Sequence, residues 1–266
     1  MALPLPPPHL RKRVAGIESD VHFDESGRRS VVDFARAVQG VGRPLESFSR
    51  ILEWGCGCGR ILRHLVPACP RTTVHGCDID QEAIDWLRAS GIRAEVARTE
   101  GLPPLPYDDG AFDLIVNHSV LTHLDERYQD AWLSELGRIL APDGLLILTV
   151  QGPFAYNQWA AGLGDGEATR AMLSEAYRTL ETSGIYFLVD DVWAEEFPSY
   201  YQSTFHAPWY VFAHWGRSFD IVSYLVRGSL EHQDLVVLRH KRGLDQVVFD
   251  RHPEPRRSLL RRLTGR

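Results

Sequence analysis

Several features that mark whole classes of protein are scarce in this sequence. Its 29 lysines and arginines are outnumbered by 35 aspartates and glutamates, and the formal net charge of −6 at pH 7 predicts that nucleic acid is not a main partner. No apolar run approaches the roughly 20 residues of a membrane-spanning helix. The first residues, Met-Ala-Leu-Pro-Leu-Pro-Pro-Pro, lack the basic and apolar regions of a signal peptide. We therefore expect a cytoplasmic protein with no stable membrane insertion.

Cysteine is also scarce, and the positions of the four cysteines predict no metal site. Cys56 and Cys58 stand between glycines and have no Cys-x-x-Cys partner elsewhere, so zinc is not expected. Cys69 and Cys77 flank a predicted strand and are typical of core thiols in a reducing compartment.

What the sequence does contain is a glycine-rich turn within residues 50–60. A short apolar run ends in Glu53, and a helix-like segment begins at Arg60, so the stretch predicts a buried strand that turns sharply into a helix. Glycine permits positive φ and lets a ligand approach the backbone, whose N–H groups at a helix N-terminus favour a polar or anionic group. The glycines occupy alternate positions, at Gly55, Gly57 and Gly59.

The spacing of these glycines separates three kinds of nucleotide loop. The dinucleotide fingerprint places Arg60 where glycine or alanine is required, which disfavours NAD, and no Gly-Lys-Ser/Thr of a phosphate loop follows. The remaining pattern, acid-x-Gly-x-Gly-x-Gly, resembles the first motif of class I S-adenosylmethionine-dependent methyltransferases. A second short strand, Thr73 to Asp78, ends in a carboxylate suited to a ribose diol, and Asp80 is the expected cap of the helix that follows.

The resemblance continues through three more predicted strands and covers residues 50–150. It implies an α/β fold with a Rossmann-like, seven-stranded, mostly parallel sheet whose last strand is antiparallel. In many relatives an aspartate after strand 3 binds adenine. Arg98 stands there in this sequence, so we expect Thr99 or Glu100 to make that contact. Strand 4 is followed by Asn117 and His118 in place of the Asp/Asn-Pro-Pro-Tyr/Phe turn of many base methyltransferases, which favours a small-molecule or peptide acceptor.

Three regions are predicted outside this core. Residues 1–49 form an N-terminal arm and helix, in which the proline-rich and basic residues 1–16 are expected to be poorly ordered and apolar spacing predicts a helix over residues 30–38. Residues 152–208, within a methyltransferase domain over 50–240, form a long aromatic insertion after strand 5, either a lid and substrate wall or a surface insert. Residues 241–266 form a basic tail, either amphipathic or solvated.

The resemblance and the strand ends together assign the site. Glu53 is expected to bind the ammonium of the methionine moiety, Asp78 the ribose hydroxyls and Ile79 the adenine face, while Asn117 and His118 border the sulfur. The predicted cofactor-binding residues are Glu53, Gly55, Gly57, Gly59, Asp78, Ile79, Thr99, Glu100 and Asn117.

Methyl transfer needs a base only if the acceptor must lose a proton, and histidine titrates near the operating pH. The catalytic candidates are His118 and His206, whereas His123 is expected to serve in packing or capping. Tyr200 and Tyr201 are expected to orient the acceptor or to form an aromatic wall.

The predicted activity is S-adenosylmethionine-dependent O- or N-methylation of a sugar, natural product or similar metabolite. Two alternatives stay open from the sequence. One is a protein that binds S-adenosylmethionine or its product without catalysis, and the other is an NAD-linked oxidoreductase.

Overall fold

A computed structural model of the chain describes residues 3–190 and 197–242. Its central feature is a seven-stranded sheet in the order β3-β2-β1-β4-β5-β9-β8. The first five strands of that order are parallel, and β9 runs antiparallel to both β5 and β8. This confirms the predicted fold. The strands of the sheet are β1 (Arg50–Trp54), β2 (Thr73–Asp78), β3 (Glu95–Arg98), β4 (Phe112–Val116), β5 (Leu140–Val150), β8 (Phe219–Ser229) and β9 (Gln233–His240).

Helices cover both faces of the sheet, because alternate side chains of each buried strand point to opposite sides. On one face, Ile51 of β1 packs in a core with Phe34 and Leu62, while on the other Leu52 packs with Trp132 and Leu136. The helices are α1 (Pro8–Ala15), α2 (Asp20–Gly40), α3 (Leu62–Ala68), α4 (Gln81–Ala89), α5 (Glu126–Ile139), α6 (Pro153–Ala161), α7 (Glu167–Thr182) and α8 (Pro208–His214).

The order of the strands reverses between β1 and β4, which are hydrogen-bonded neighbours at the middle of the sheet. In open parallel sheets, ligands bind beyond the carboxyl ends of the strands at such a reversal. The fold therefore places the glycine loop after β1 and the residues after β4 on the two sides of one crevice.

The N-terminal region is more ordered than its composition predicts. Residues 8–15 form α1, whose Leu10 is buried with Phe23 and Ala83, and Leu10 O accepts a contact from Cys58 Sγ at 3.5 Å. The predicted helix over 30–38 begins ten residues earlier, where Ser19 caps α2 by accepting from His22 N. Sequence spacing missed both features because their apolar contacts are made across the fold and not along one helix.

The insertion after β5 contains α6, α7 and a two-stranded antiparallel sheet made of β6 (Ile185–Leu188) and β7 (Ser203–His206). An isolated bridge between Gln151 and Phe205 joins that sheet to the end of β5. The insertion thus returns to the carboxyl edge of the main sheet. The predicted basic tail lies outside the described residues except for Lys241 and Arg242. Within the described ranges we find no helix with both the length and the apolar character to cross a membrane.

Gly27 of α2 packs directly against the backbone at the end of the glycine loop. A Cβ built on Gly27 would lie 1.9 Å from the carbonyl oxygen of Arg60. We expect Gly27→Ala to lower the free energy of unfolding by about 1–3 kcal/mol, because overpacking against backbone outweighs the gain in helix propensity. Urea unfolding measures this. Gly40→Ala, in the same helix with no atom within 4 Å of its added Cβ, is the matched control and should be neutral or stabilising.

Candidate functional site

A cavity of about 500 Å³ lies at the carboxyl ends of β1, β2 and β4. Its walls come from the glycine loop, from the residues that follow β2, β3 and β4, and from α1, α2 and the insertion. The β8–β9 turn, by which we mean residues 227–233 including the adjoining strand ends, also contributes. Of the residues predicted from the sequence, nine line it: Glu53, Gly55, Gly57, Asp78, Ile79, Thr99, His118, Tyr200 and Tyr201.

The glycine loop owes its shape to positive φ angles, 78° at Gly55, 50° at Gly57 and 84° at Gly59. A Cβ at Gly57 would lie 2.4 Å from Val14 of α1, and one at Gly55 would lie 2.3 Å from Val120. The first two glycines therefore let neighbouring segments close on the cavity. Gly59 differs, because its missing Cβ makes room for Leu87 of α4 and the residue does not line the cavity.

Asp78 joins the end of β2 to the glycine loop. Its Oδ2 accepts from Gly57 N at 2.7 Å, and its Oδ1 accepts from Asp80 N at 2.9 Å. Burial raises the pKa of Asp78, and the two backbone N–H groups oppose that shift by favouring the carboxylate. Each carboxylate oxygen has more than one acceptor site, so Asp78 retains capacity for a ligand's hydroxyl groups.

Glu53 and Arg60 place a buried carboxyl group and a buried guanidinium in the wall of the same cavity. Glu53 is 2% exposed and its Oε2 has no hydrogen-bond partner among the described residues, while burial raises its pKa well above the usual value. Arg60 is 5% exposed, and burial lowers its pKa to about 10. Its Nη1 donates to Ser30 Oγ at 3.3 Å. Sequence reasoning treated Arg60 only as a departure from the dinucleotide fingerprint.

His118 follows β4 and contacts the β8–β9 turn, since its Nδ1 lies 2.9 Å from Ser229 Oγ. Burial, with Arg60 as a smaller contribution, lowers the pKa of His118 well below its usual value, which keeps the ring neutral. The next residue, Ser119, has φ of 67°, and its hydroxyl accepts from Gln233 Nε2 at 2.8 Å.

The β8–β9 turn was missed as part of the site. Arg227, Leu230 and Glu231 all have positive φ, a backbone conformation that non-glycine residues rarely adopt and that often accompanies functional sites. The turn brings Leu230, His232 and Gln233 to the cavity wall. The nearest sequence signal is the break between two apolar strands, which predicts a turn but not that the turn lies beside the cavity.

The insertion supplies an aromatic wall. Tyr201 stacks between His123, at a ring distance of 4.2 Å, and Phe197, at 4.3 Å. Tyr200 stacks on Tyr128 at 4.8 Å. A Cβ at Gly101, after β3, would lie 2.0 Å from the Tyr200 hydroxyl oxygen, so both tyrosines stand near the strand ends that carry Asp78 and Thr99.

The structure does not bring four predicted residues into the cavity: Gly59, Glu100, Asn117 and His206. Asn117 is fully buried and donates from Nδ2 to Trp54 O at 2.7 Å, which ties the end of β4 to β1. Glu100 is exposed and pairs with Arg98. His206 is 1% exposed in β7, where its Nε2 lies 3.0 Å from Gln129 Oε1.

Helix α1 also contributes to the wall of the cavity. Arg13 donates to Asp80 Oδ2 at 2.8 Å and to Glu82 Oε2 at 2.7 Å, which fastens α1 to the start of α4. Arg13, Val14, Ala15 and Gly16 line the cavity. The N-terminal segment is therefore part of the site.

Comparison with known proteins gives one family match. Residues 51–144 match the family model described as a methyltransferase domain. A fatty-acid O-methyltransferase of Mycolicibacterium smegmatis is 30% identical over 50% of this chain and 50% of its own length. A malonyl-[acyl-carrier protein] O-methyltransferase of Hahella chejuensis is 28% identical over 50% and 51%, respectively. The chain thus spans about half the length of these curated relatives.

Among solved structures, the chain is similar to a 1,6-didemethyltoxoflavin-N1-methyltransferase of Burkholderia thailandensis, solved with 1,6-didemethyltoxoflavin and S-adenosylhomocysteine. The TM-score is 0.54 at 16% identity, and the alignment covers 91% of this chain and 94% of that one. At this identity the similarity supports the fold.

Proposed function

Because the chain belongs to the class I S-adenosylmethionine-dependent methyltransferase superfamily, we propose that it is an enzyme that methylates a small-molecule acceptor. The observation that carries the proposal is Asp78. Its half-buried carboxylate, fixed by the N–H groups of Gly57 and Asp80, stands beside a glycine loop in a cavity at the reversal point of the sheet.

The residues that line the cavity support S-adenosylmethionine as its ligand. Asp78 has acceptor capacity for the ribose hydroxyls, and the unpartnered Glu53 Oε2 suits an ammonium group. Gly55 and Gly57 give close access to backbone, while Ile79 and Thr99 line the part of the cavity proposed for adenine. Gly59, Glu100 and Asn117 lie outside the cavity and are assigned no contact with the ligand.

S-adenosylmethionine supplies a methyl group on a positively charged sulfur, which is an activated leaving group. The protein's part is to hold the acceptor in line and to exclude water, and orientation supplies much of the rate. Residues of α1 together with Tyr200 and Tyr201 line the cavity, and side chains there suit this task.

His118 is our candidate for the residue that contacts the acceptor. It follows β4, lines the cavity and is kept neutral by burial, and a neutral ring is the form that accepts a proton. His206 is less suited because it lies outside the cavity against Gln129.

Support for a small-molecule acceptor comes from the cavity and from the related proteins. The cavity has a volume of about 500 Å³, and the residues that line it with His118 include the polar Ser119, Gln151 and Gln233. Relatives are named for O-methylation of a fatty acid and of a malonyl-acyl carrier protein, and the structural neighbour holds a small heterocycle. The exclusion of nucleic acid stays a prediction.

Thermal unfolding with S-adenosylhomocysteine, and in parallel with NAD, tests the cofactor assignment. At one hundred times its dissociation constant, S-adenosylhomocysteine should stabilise the fold by about 2.7 kcal/mol, whereas NAD should give no shift. A shift with NAD alone would favour the oxidoreductase. Incubation with labelled S-adenosylmethionine and a panel of small acids, amines and phenols then separates the enzyme from a non-catalytic binding protein, which would bind without transferring label.

A further inference from the structure

Gln233 carries a buried hydrogen-bond acceptor that the fold leaves without a partner. The residue lies at the start of β9, is 8% exposed and lines the cavity. Its Nε2 donates to Ser119 Oγ at 2.8 Å, whereas its Oε1 has no hydrogen-bond partner among the described residues. An amide oxygen buried in this way costs free energy, because it gives up its hydrogen bonds to water. A ligand group that donates a hydrogen bond would remove that cost.

The hydroxyl groups beside Gln233 account for the other end of its amide. Ser119 Oγ also lies 2.9 Å from Thr122 Oγ1, and Thr122 is fully buried. A hydroxyl has one proton to donate and can accept as well, so Ser119 can donate to Thr122 while it accepts from Gln233 Nε2. The NH₂ group of Gln233 is therefore used within the protein, and Oε1 is the end that remains for a ligand.

Gln233 and His118 are joined by two contacts between the same segments. Ser229 and Gln233 are paired residues of β8 and β9. His118 Nδ1 lies 2.9 Å from Ser229 Oγ, and the next residue, Ser119, accepts from Gln233. The Gln233 amide and the His118 ring are consequently neighbours in the cavity wall, and one small molecule can meet both.

The chemistry of this wall restricts the group that Gln233 can bind. A carboxylate or an ether has no proton to donate to Oε1. Arg60 lines the same cavity and contributes to lowering the pKa of His118, so a second positive charge such as an ammonium is disfavoured there. A neutral hydroxyl group meets neither objection.

We propose that Gln233 is the specificity-determining residue for the methyl acceptor and that the acceptor is a vicinal diol. One hydroxyl group, the one that is methylated, faces His118, and the neighbouring hydroxyl donates to Gln233 Oε1. The inference rests on the proposed function, because it names the class of acceptor that the enzyme methylates.

Transfer of label from S-adenosylmethionine to two pairs of compounds provides the test. Catechol and trans-cyclohexane-1,2-diol are an aromatic and a saturated vicinal diol. Guaiacol and trans-2-methoxycyclohexanol keep one hydroxyl and replace the other by a methoxy group, which cannot donate. In wild type, kcat/KM should be roughly 10- to 100-fold higher for one of the diols than for its ether, because the ether leaves Oε1 without a partner. The pair that shows this preference identifies the acceptor as aromatic or sugar-like.

Two substitutions of Gln233 separate a role in recognition from a structural role. Gln233→Met removes Oε1 while keeping an unbranched side chain, and it should reduce the preference for the diol to less than about 3-fold. Gln233→Glu keeps an oxygen that accepts hydrogen bonds and should retain the preference. Thermal unfolding without ligand establishes that each variant is folded, and Gln233→Leu takes the place of Gln233→Met if the latter is not.

Gln158→Met is the matched control. Gln158 is exposed on α6 and does not line the cavity. The same chemical change at this position should leave kcat/KM for diol and ether unchanged.

Three results would overturn the proposal. The first is a wild-type protein that uses diol and ether equally or prefers the ether. The second is a preference for the diol that persists in Gln233→Met. The third is a preference that is lost in Gln233→Glu as completely as in Gln233→Met, which would make Gln233 a structural residue.

A wild-type protein that does not bind S-adenosylhomocysteine would refute the proposed function and not, by itself, the diol site. In that case, or if label is transferred to none of the four compounds, their binding is measured by saturation-transfer NMR. A diol that binds more tightly than its ether to wild type, and not to Gln233→Met, would support the site. The absence of such a difference would overturn it.

Discussion

Asp78→Asn is expected to weaken the binding of S-adenosylhomocysteine by roughly 100-fold or more. The two carboxylate oxygens of Asp78 accept from Gly57 N at 2.7 Å and from Asp80 N at 2.9 Å. An asparagine has one carbonyl oxygen, so its amide NH₂ must face one of these N–H groups and repel it. The variant therefore loses the shape of the glycine loop as well as a charged acceptor for the ribose.

Calorimetry measures this change, and Asp85→Asn is its control. Asp85 lies on the exposed side of α4, where it accepts from Gln81 and pairs with Arg88, so its replacement should leave affinity within about 3-fold. Desolvation disfavours the charge of the half-buried Asp78, so the neutral asparagine removes that cost and the variant is expected to remain folded. Affinity within 3-fold of wild type in folded Asp78→Asn would show that the ribose assignment is wrong.

The parts of the site that sequence predicted are those with local signals. The glycines after β1 and the acid at the end of β2 stand at strand ends, and a parallel sheet brings strand ends together whatever else the chain does. Asp78 and Gly57 are 21 residues apart and yet bonded, because β1 and β2 are neighbours. Periodicity and turn residues were sufficient to predict that arrangement.

The missed parts depend on contacts between distant segments. His118 meets Ser229 across 111 residues, and α1 reaches Asp80 through Arg13 across 67 residues. The positions of the strand ends do not predict which turn or terminal helix folds over the crevice. Arg60 did carry a local signal, since it is a charged residue directly after a glycine loop and two residues before the partly buried α3, but comparison with the dinucleotide fingerprint used it only as a mismatch.

Two residues predicted to contact the ligand, Gly59 and Asn117, lie outside the cavity. Both occupy positions where the resemblance implies a cofactor contact, and the structure uses them to pack α4 and to join β4 to β1. A glycine or asparagine beside a strand end satisfies the motif whether it faces the ligand or the fold. Only the packing of Leu87 against Gly59 and the hydrogen bond from Asn117 Nδ2 to the Trp54 carbonyl distinguish the two uses.

Between pH 7.5 and pH 5.0, the free energy of unfolding of the double variant His123→Gln/His206→Gln is expected to fall by about 4 kcal/mol less than that of wild type. Burial lowers the pKa of His123 to about 4 and that of His206 to about 3. In the unfolded chain both rings titrate near pH 6.5, so between pH 6.5 and the folded pKa values the unfolded state binds more protons. The stability that these two rings contribute is therefore greatest above pH 6.5 and falls as the pH decreases.

Each ring accounts for about 2 kcal/mol at pH 5.0, which is about 1.4 kcal/mol for each of the 1.5 pH units below 6.5. Urea unfolding at the two pH values measures the effect as a difference between variant and wild type. That difference matters because burial raises the pKa of Glu53 and of Asp78, and these carboxyl groups act in the opposite direction in every variant.

Phe205→Leu, a buried neighbour of His206 without a titratable group, should lower stability equally at both pH values. If the unfolding free energy of the double variant falls with acid as steeply as that of wild type, the two rings are not held neutral by burial. The argument that burial also keeps His118 neutral beside the acceptor would then be wrong.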